Sequence, residues 1–341
     1  MNGVARRDQP FRRELFEETA NRRGLQAAII EKDFWVCWTL RQLFSLPALE
    51  GRLIFKGGTT LSKVFGIIHR FSEDIDLTLD RALFGFGDDR NPDQAKSRNK
   101  REKLVKEMVA ACRDYIQGPL VAVLRERFGS VLAGGWELLV DPEAKDGQAL
   151  LLRYPAAVAH LDYIQPVVRM EFGSRSDTWP TVTAGISPYA AEEFAQAFTE
   201  PRCGVVALDV NRTFWEKATI LHEETHRPDG SAMPPRYSRH YYDLAMLANS
   251  PVRESALRRT DLLERVVWHK TTFFGRSWSH FDSARPGTFR LVPPPGRQST
   301  LETDYQRMRP MIFDQPPSFA DILATLQALE QTINGKPPHS A

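Results

Sequence analysis

The sequence predicts an α/β core, a short mixed sheet with flanking helices, followed by a helical carboxy-terminal region. Three observations carry this expectation. A strand, a Gly-Gly turn and a helix follow one another over 52–65; apolar and polar residues alternate over 74–77 and 167–172; and beyond about residue 206 apolar residues recur at helical intervals. With 341 residues the chain is long enough for two packed regions. We divide it into a helical segment over 1–50 that packs on the core, a core over 51–205 with a long insertion at about 81–160, and a helical domain over 206–341.

Element by element, residues 11–48 read as helix, because Ile30, Phe34, Cys37, Trp38 and Phe44 fall on one face. Arg52 to Phe55 reads as a strand, Gly57-Gly58 as a turn, Thr59 to Phe65 as a helix and Ile75 to Leu79 as a second strand. The Gly-, Asp- and Asn-rich stretch 85–100 reads as an exposed loop. A helix begins near it, with Leu104, Met108, Val109 and Cys112 on its apolar face and Lys96, Arg98, Lys100, Arg101, Lys103 and Lys106 around it. These cations form either a solvated helix surface or a phosphate-contacting patch. Val168, Met170 and Phe172 alternate with Arg169 and Glu171 as in a half-buried strand. Helices are predicted over 211–225, 238–249, 254–274 and 318–334. The last has Ser318 and Asp321 in capping-box spacing, and Pro293-Pro294-Pro295-Gly296 marks a break before it.

Composition narrows the function classes. Hydrophobic residues at 42% and charged ones at 26% are those of an ordinary globular protein. A formal net charge of +2 means that nucleic-acid binding requires a local basic patch, since the overall field is weak. Cys37, Cys112 and Cys203 are far apart and show no C-x-x-C spacing, which argues against a disulfide framework and against a cysteine zinc site. The amino terminus lacks the apolar stretch of a signal peptide, and no run reaches the roughly 18–20 apolar residues of a membrane span. A cytoplasmic protein with no membrane partner is expected.

The chemistry concentrates between Lys56 and Asp76. Lys56-Gly57-Gly58-Thr59-Thr60 lies between a strand and a helix, where unpartnered backbone amides face outward and glycine permits close approach of a phosphate. A threonine hydroxyl adds a further donor to a triphosphate oxygen. By itself such a turn is common. Fourteen residues later comes Ser72-Glu73-Asp74-Ile75-Asp76-Leu77. On a strand, residues two apart share a face, so Asp74 and Asp76 present paired carboxylates while Ile75 and Leu77 enter the core. Like charges placed so closely repel unless a cation compensates them. Magnesium, or manganese, combines one or two carboxylates with water and substrate phosphates, which makes these two aspartates candidate metal ligands. Glu171 is the candidate for a third carboxylate, with a surface ion pair as its alternative, and Asp162 is a weaker substitute.

At this point the sequence resembles the AbiEii/AbiGii toxin family of the polymerase-β-like nucleotidyltransferase superfamily. Five blocks agree in order: Glu31-Lys32-Asp33-Phe34-Trp35, FKGGTTLSK (55–63), FSEDIDLTL (71–79), RTFWEKATILHEE (212–224) and SRHYYDLAML (238–247). The resemblance implies a polymerase-β-like nucleotidyltransferase core, nucleotide contacts at Gly58, Thr59 and Ser72 with the neighbouring Lys56 and Gly57, and metal ligation by Asp74 and Asp76. It also implies catalytic importance for Lys217 and Asp243. On a helix, Lys217 can point its ammonium at triphosphate oxygens, and Asp243 can accept a proton or orient the attacking group. Glu216 beside Lys217, and Arg239 four residues before Asp243, are the alternative as structural ion pairs. The implied function is that of a toxin of a toxin–antitoxin or phage-defence system. Such a protein has a cognate antitoxin, and it transfers a nucleotide from a nucleoside triphosphate to an RNA, in particular the 3′ end of tRNA.

Three other readings compete. His222-Glu223-Glu224-Thr225-His226 matches the H-E-x-x-H signature of zinc peptidases, but it sits at the end of its helix, with Pro228 just beyond and no glutamate between Thr225 and Arg253. Nucleotidylation of a protein replaces the RNA acceptor by another. A silent binding protein that kept the fold is disfavoured by the intact Asp74, Asp76 and Lys217.

Overall fold

The structure, a computed structural model, describes residues 1–159, 164–313 and 315–335. The chain divides into two units. The first comprises Met1–Val64 and Ser72–Leu208; the second comprises Phe65–Phe71 and the chain from Asp209 onward.

In the first unit a short helix α1 (Asn2–Ala5) precedes α2 (Gln9–Arg23) and α3 (Ala27–Phe44). The single helix expected over 11–48 is therefore two. The break is at Gly24, whose φ of +63° gives a left-handed cap that donates its N–H to Ala20 O. Asp8 starts α2 by accepting the N–H of Phe11. α3 is buried along nearly its whole length, and its Phe34, Trp35 and Trp38 pack with Phe16, Phe128, Tyr154 and Phe198 into an aromatic core.

The remaining elements of this unit are β1 (Leu53–Lys56), α4 (Gly58–Lys63), β2 (Asp74–Leu79), α5 (Arg98–Tyr115), α6 (Val121–Gly129), β3 (Glu137–Val140), β4 (Ala149–Arg153), β5 (Val167–Gly173), β6 (Thr181–Ile186), α7 (Tyr189–Glu193) and β7 (Cys203–Leu208). The strands form one mixed sheet in the order β3-β4-β5-β2-β1-β7-β6. β2 is at its centre, parallel to β5 and antiparallel to β1. The stretch expected as an insertion contributes β3 and β4 to this sheet, paired antiparallel to each other and then to β5. α5 buries Leu104, Met108 and Cys112 and exposes Lys100, Lys103 and Lys106, while Arg98 and Lys103 pair along the helix with Glu102 and Glu107. All three cysteines are free and buried.

The second unit is helical: α8 (Val210–Thr225), α9 (Ser238–Ala248), α10 (Val252–Leu257), α11 (Thr260–Phe274), α12 (Pro295–Met308) and α13 (Phe319–Ile333). The helix expected over 254–274 is two, and the proline-rich stretch opens a helix of its own. Pro295 occupies the first position of α12, where its missing N–H costs nothing. α13 carries the capping box expected at Ser318 and Asp321. Residues 65–71 join this unit through backbone bonds from Phe71 N–H to Met311 O (2.7 Å) and from Phe313 N–H to His69 O (2.8 Å). Among the described residues no helix is long and apolar enough to cross a membrane.

Candidate active site

In β2 the alternation is as expected: Ile75 and Leu77 are fully buried, and Asp74 and Asp76 lie on the opposite, half-exposed face. The sheet register places three more charged residues on that face. Asp76 pairs with Glu171 of β5 on one side and with Lys56 of β1 on the other, and Asp74 pairs with Arg169. Paired residues project to the same side of a sheet, so Asp74, Asp76 and Glu171 share that face. Burial raises the pKa of Glu171, the negative charge of Asp76 and then of Asp74 raises it further, and Arg169 and Lys56 oppose them.

Arg169 limits what Glu171 can do. Its guanidinium donates to Asp141 at 2.6 Å and also forms a close ion pair with Glu171. Among the described residues no cluster of three His, Cys, Asp or Glu side chains has the geometry of a metal site. The donor set that fits a cation is therefore the Asp74–Asp76 pair, enough for magnesium when water and substrate oxygens complete its shell. Asp162 lies outside the described residues.

The glycine turn touches this pair directly. Gly57 has φ +82° and ψ −163°, a conformation open essentially to glycine alone. A Cβ there would fall 1.9 Å from Asp76 Oδ2, so the carboxylate packs against the bare Cα. Gly58 begins α4, and the Thr60 hydroxyl closes the turn by donating to Gly57 O at 2.7 Å. The Thr59 side chain is buried, and its hydroxyl donates to Asp74 O at 2.5 Å, with Ser72 Oγ 3.0 Å away. Thr59 thus fastens α4 to the start of β2 through its hydroxyl. Ser72 is half-buried at the same junction.

Two ion pairs that sequence reading missed brace the turn and the strand from α3. Lys32 makes a close ion pair with Glu73, the neighbour of Asp74. Asp33 accepts from Lys63 Nζ at 2.7 Å and, through its other oxygen, from Tyr189 N–H at 2.7 Å. Nothing in the periodicity of α3 distinguishes these charges from surface ones; the signal was their presence on an otherwise apolar helix.

Lys217 and Asp243 belong to the second unit and meet there. Lys217 Nζ lies 2.7 Å from Asp243 Oδ2 and 3.1 Å from His240 Nδ1. Arg70, unforeseen from sequence, grips both oxygens of Asp243 at 2.7 and 2.9 Å. Asp243 and Lys217 therefore pair with each other and with Arg70, while Glu216 pairs with Arg212. Burial opposes the charge on Asp243, but Arg70 and Lys217 outweigh it and hold its carboxyl well below the usual range. The Asp243 carboxylate is thus shared between two cations in the folded chain. Burial, against the pull of Asp243, lowers the pKa of Lys217.

The H-E-x-x-H segment is structural. His222 is fully buried, and its Nδ1 accepts the N–H of Arg290 at 3.0 Å. Its Nε2 therefore carries the proton and faces His280 O at 3.2 Å and Ser283 Oγ at 3.0 Å. No lone pair is left for zinc. Burial and the neighbouring His226 push its pKa down to about 4, which keeps the ring neutral. Glu223 accepts from the Ser279 hydroxyl at 2.8 Å. The peptidase alternative built on His222, Glu223 and His226 is thereby overturned.

Two outcomes follow. Gly57→Ala should lower stability by about 1–3 kcal/mol from its backbone conformation and displace the Asp76 carboxylate; chemical denaturation that matches the wild type would contradict this. Because the folded-state pKa of Asp243 is depressed, its stabilisation is present above the ordinary aspartate value near 4 and lost as pH falls further. Asp243→Asn should cost about 3–5 kcal/mol at neutral pH by leaving buried cations unpaired. Its gap from the wild type should narrow below about pH 4, as read from unfolding curves across that range.

Comparison with known proteins gives the following. No curated protein matches the chain. Among solved structures, MenT4, a nucleotidyltransferase toxin from Mycobacterium tuberculosis H37Rv, is 20% identical, with 95% of this chain and 97% of that one covered and a TM-score of 0.46. Residues 38–325 match the family model described as nucleotidyl transferase AbiEii toxin, type IV toxin–antitoxin system. The chain belongs to the AbiEii family of nucleotidyltransferase toxins.

Proposed function

We propose that this nucleotidyltransferase toxin uses magnesium or manganese to transfer a nucleotide from a nucleoside triphosphate to the 3′ hydroxyl of an RNA, with the acceptor end of tRNA as its target. The observation that carries this reading is the packing of Asp76 against Gly57, with Asp74 on the same face of β2. It brings a pair of carboxylates and a glycine turn with no side chain of its own together at one place. A bound divalent ion would neutralise the triphosphate and lower the pKa of the attacking hydroxyl.

In this reading Asp74 and Asp76 hold the metal. The Lys56-Gly57-Gly58 turn receives the phosphates through its backbone, and Thr59 and Ser72 keep that turn fixed to β2. The acceptor hydroxyl gives up its proton to water as its oxygen bonds to the α-phosphorus, the bond from that phosphorus to the bridging oxygen breaks, and pyrophosphate leaves. Lys217 and Asp243, which the family resemblance marks as important for catalysis, form one buried ion cluster with Arg70 in the second unit. Glu171 tunes the carboxylate pair through its own charge, and as a metal ligand it would share its carboxylate with Arg169. Loss of usable tRNA would halt translation, which suits a toxin restrained by an antitoxin and a role in phage defence.

The test incubates purified protein with total RNA, total protein and each labelled triphosphate in turn, with magnesium, with manganese and with chelator. Label on RNA of tRNA length that needs the metal supports the proposal; label on a protein band moves the reading to protein nucleotidylation. Asp76→Ala should lower labelling by at least about 100-fold without loss of folded structure. Undiminished labelling by that variant would remove Asp76 from the site.

A further inference from the structure

We propose that Lys32 and Asp33, neighbours on α3, are positioning residues that hold the two halves of the nucleotide site in register, Asp33 through Lys63 on α4 and Lys32 through Glu73 at the start of β2. This rests on the reading above that the glycine turn and the Asp74–Asp76 pair bind a metal-bound triphosphate. Both residues lie before the segment that matches the family model, which begins at residue 38.

The argument is geometric. Successive residues on a helix point about 100° apart, so adjacent positions can reach two different elements. Lys32 is 4% exposed and Asp33 3% exposed, and each has its partner at hydrogen-bond distance or closer. Lys63 is the last residue of α4, while Thr59 ties the first turn of that helix to Asp74 O. The helix is therefore held at one end by β2 and at the other by Asp33. Glu73 immediately precedes Asp74, so Lys32 fixes the point from which β2 starts. The tolerance is small, because the Asp76 carboxylate rests against the Cα of Gly57. A shift of α4 along β2 would press the turn into that carboxylate or part it from the turn. Asp33 is further fixed by the N–H of Tyr189 at the start of α7, and the Lys63 ammonium lies 3.8 Å from the Tyr189 ring. Buried charges are costly to keep unless paired, and these pairs sit at both ends of the one segment whose placement the site depends on.

The experiment uses the full chain with both partners of a pair neutralised, Asp33→Asn with Lys63→Met and Lys32→Met with Glu73→Gln. Calorimetry measures binding of magnesium with each of ATP, GTP, CTP and UTP, and paramagnetic resonance measures binding of manganese. Circular dichroism should show both variants folded. The first should lose triphosphate affinity and the second manganese affinity, each by about 10- to 100-fold, as is usual when a ligand loses its outer support. Folded variants with wild-type affinities would overturn the proposal. Should either fail to fold, the reversed pair Lys32→Glu with Glu73→Lys decides: binding lost in the single reversals must return in the double, and its failure to return overturns the clamp. Hydrogen exchange separates this outcome from failure of the functional reading. If the wild type binds no triphosphate, that reading fails, yet amides of 57–63 and 72–76 should still exchange faster in the neutralised variants than in the wild type while those of β6 and β7 do not. Unchanged exchange at both segments would overturn the clamp on its own.

Discussion

A carboxylate resting on a bare glycine Cα is the constraint from which the geometry of the first unit follows. Asp76 occupies the space that any side chain at position 57 would need. That contact requires a backbone conformation closed to other residues, a short helix whose first turn is tied to β2 and a strand start that does not slide. Thr59 and Thr60 supply the local bonds, and the buried ion pairs of Asp33 and Lys32 supply the distant ones. The central place of β2 in the sheet adds stiffness, since it is bonded to β1 and β5 along its length.

The electrostatics of the same face explain why it is suited to a cation. Register alone brings Glu171 beside Asp76, and the raised pKa of Glu171 records the repulsion among the acids once burial has weakened solvent screening. Arg169 answers part of that charge by bridging Asp141 and Glu171. An arginine in this position competes with any metal for one oxygen of the third carboxylate. The second unit solves a related problem with fixed charges. There a single buried carboxylate, Asp243, is shared between a bidentate guanidinium and an ammonium.

Much of this was legible in the sequence where the signal was local. The alternation in Asp74-Ile75-Asp76-Leu77 gave the strand and the shared face, Gly57-Gly58 gave the turn, and Ser318 with Asp321 gave a helix start. Signals that depend on partners distant in the chain were not legible. β3 and β4 are short apolar runs without polar alternation, and their pairing with each other, and of β4 with β5, makes them strands. Arg70 looks like any surface arginine until Asp243, 173 residues away, is brought to it. The helix break at Gly24 was open to view, since a lone glycine after a polar run is a common cap; the apolar residues that carried the helical reading, Ile30 to Phe44, all lie beyond it.

The H-E-x-x-H segment shows why a motif needs its lone pairs counted. Its spacing places His222 and His226 one turn apart, with ring centroids 4.9 Å from each other, as a metal pair would be. Spacing fixes where rings stand and says nothing about which nitrogen is free. The backbone N–H of Arg290 takes Nδ1 of His222, and that bond in turn commits Nε2 to donate. Asp74 and Asp76 stand in different surroundings. Their common face carries a glycine turn on one side and a raised-pKa glutamate on the other, and a divalent ion there would lower the repulsion that the sheet imposes. Of two acidic or basic clusters with convincing spacing, the one whose surroundings are worse without a metal is the better candidate to hold it.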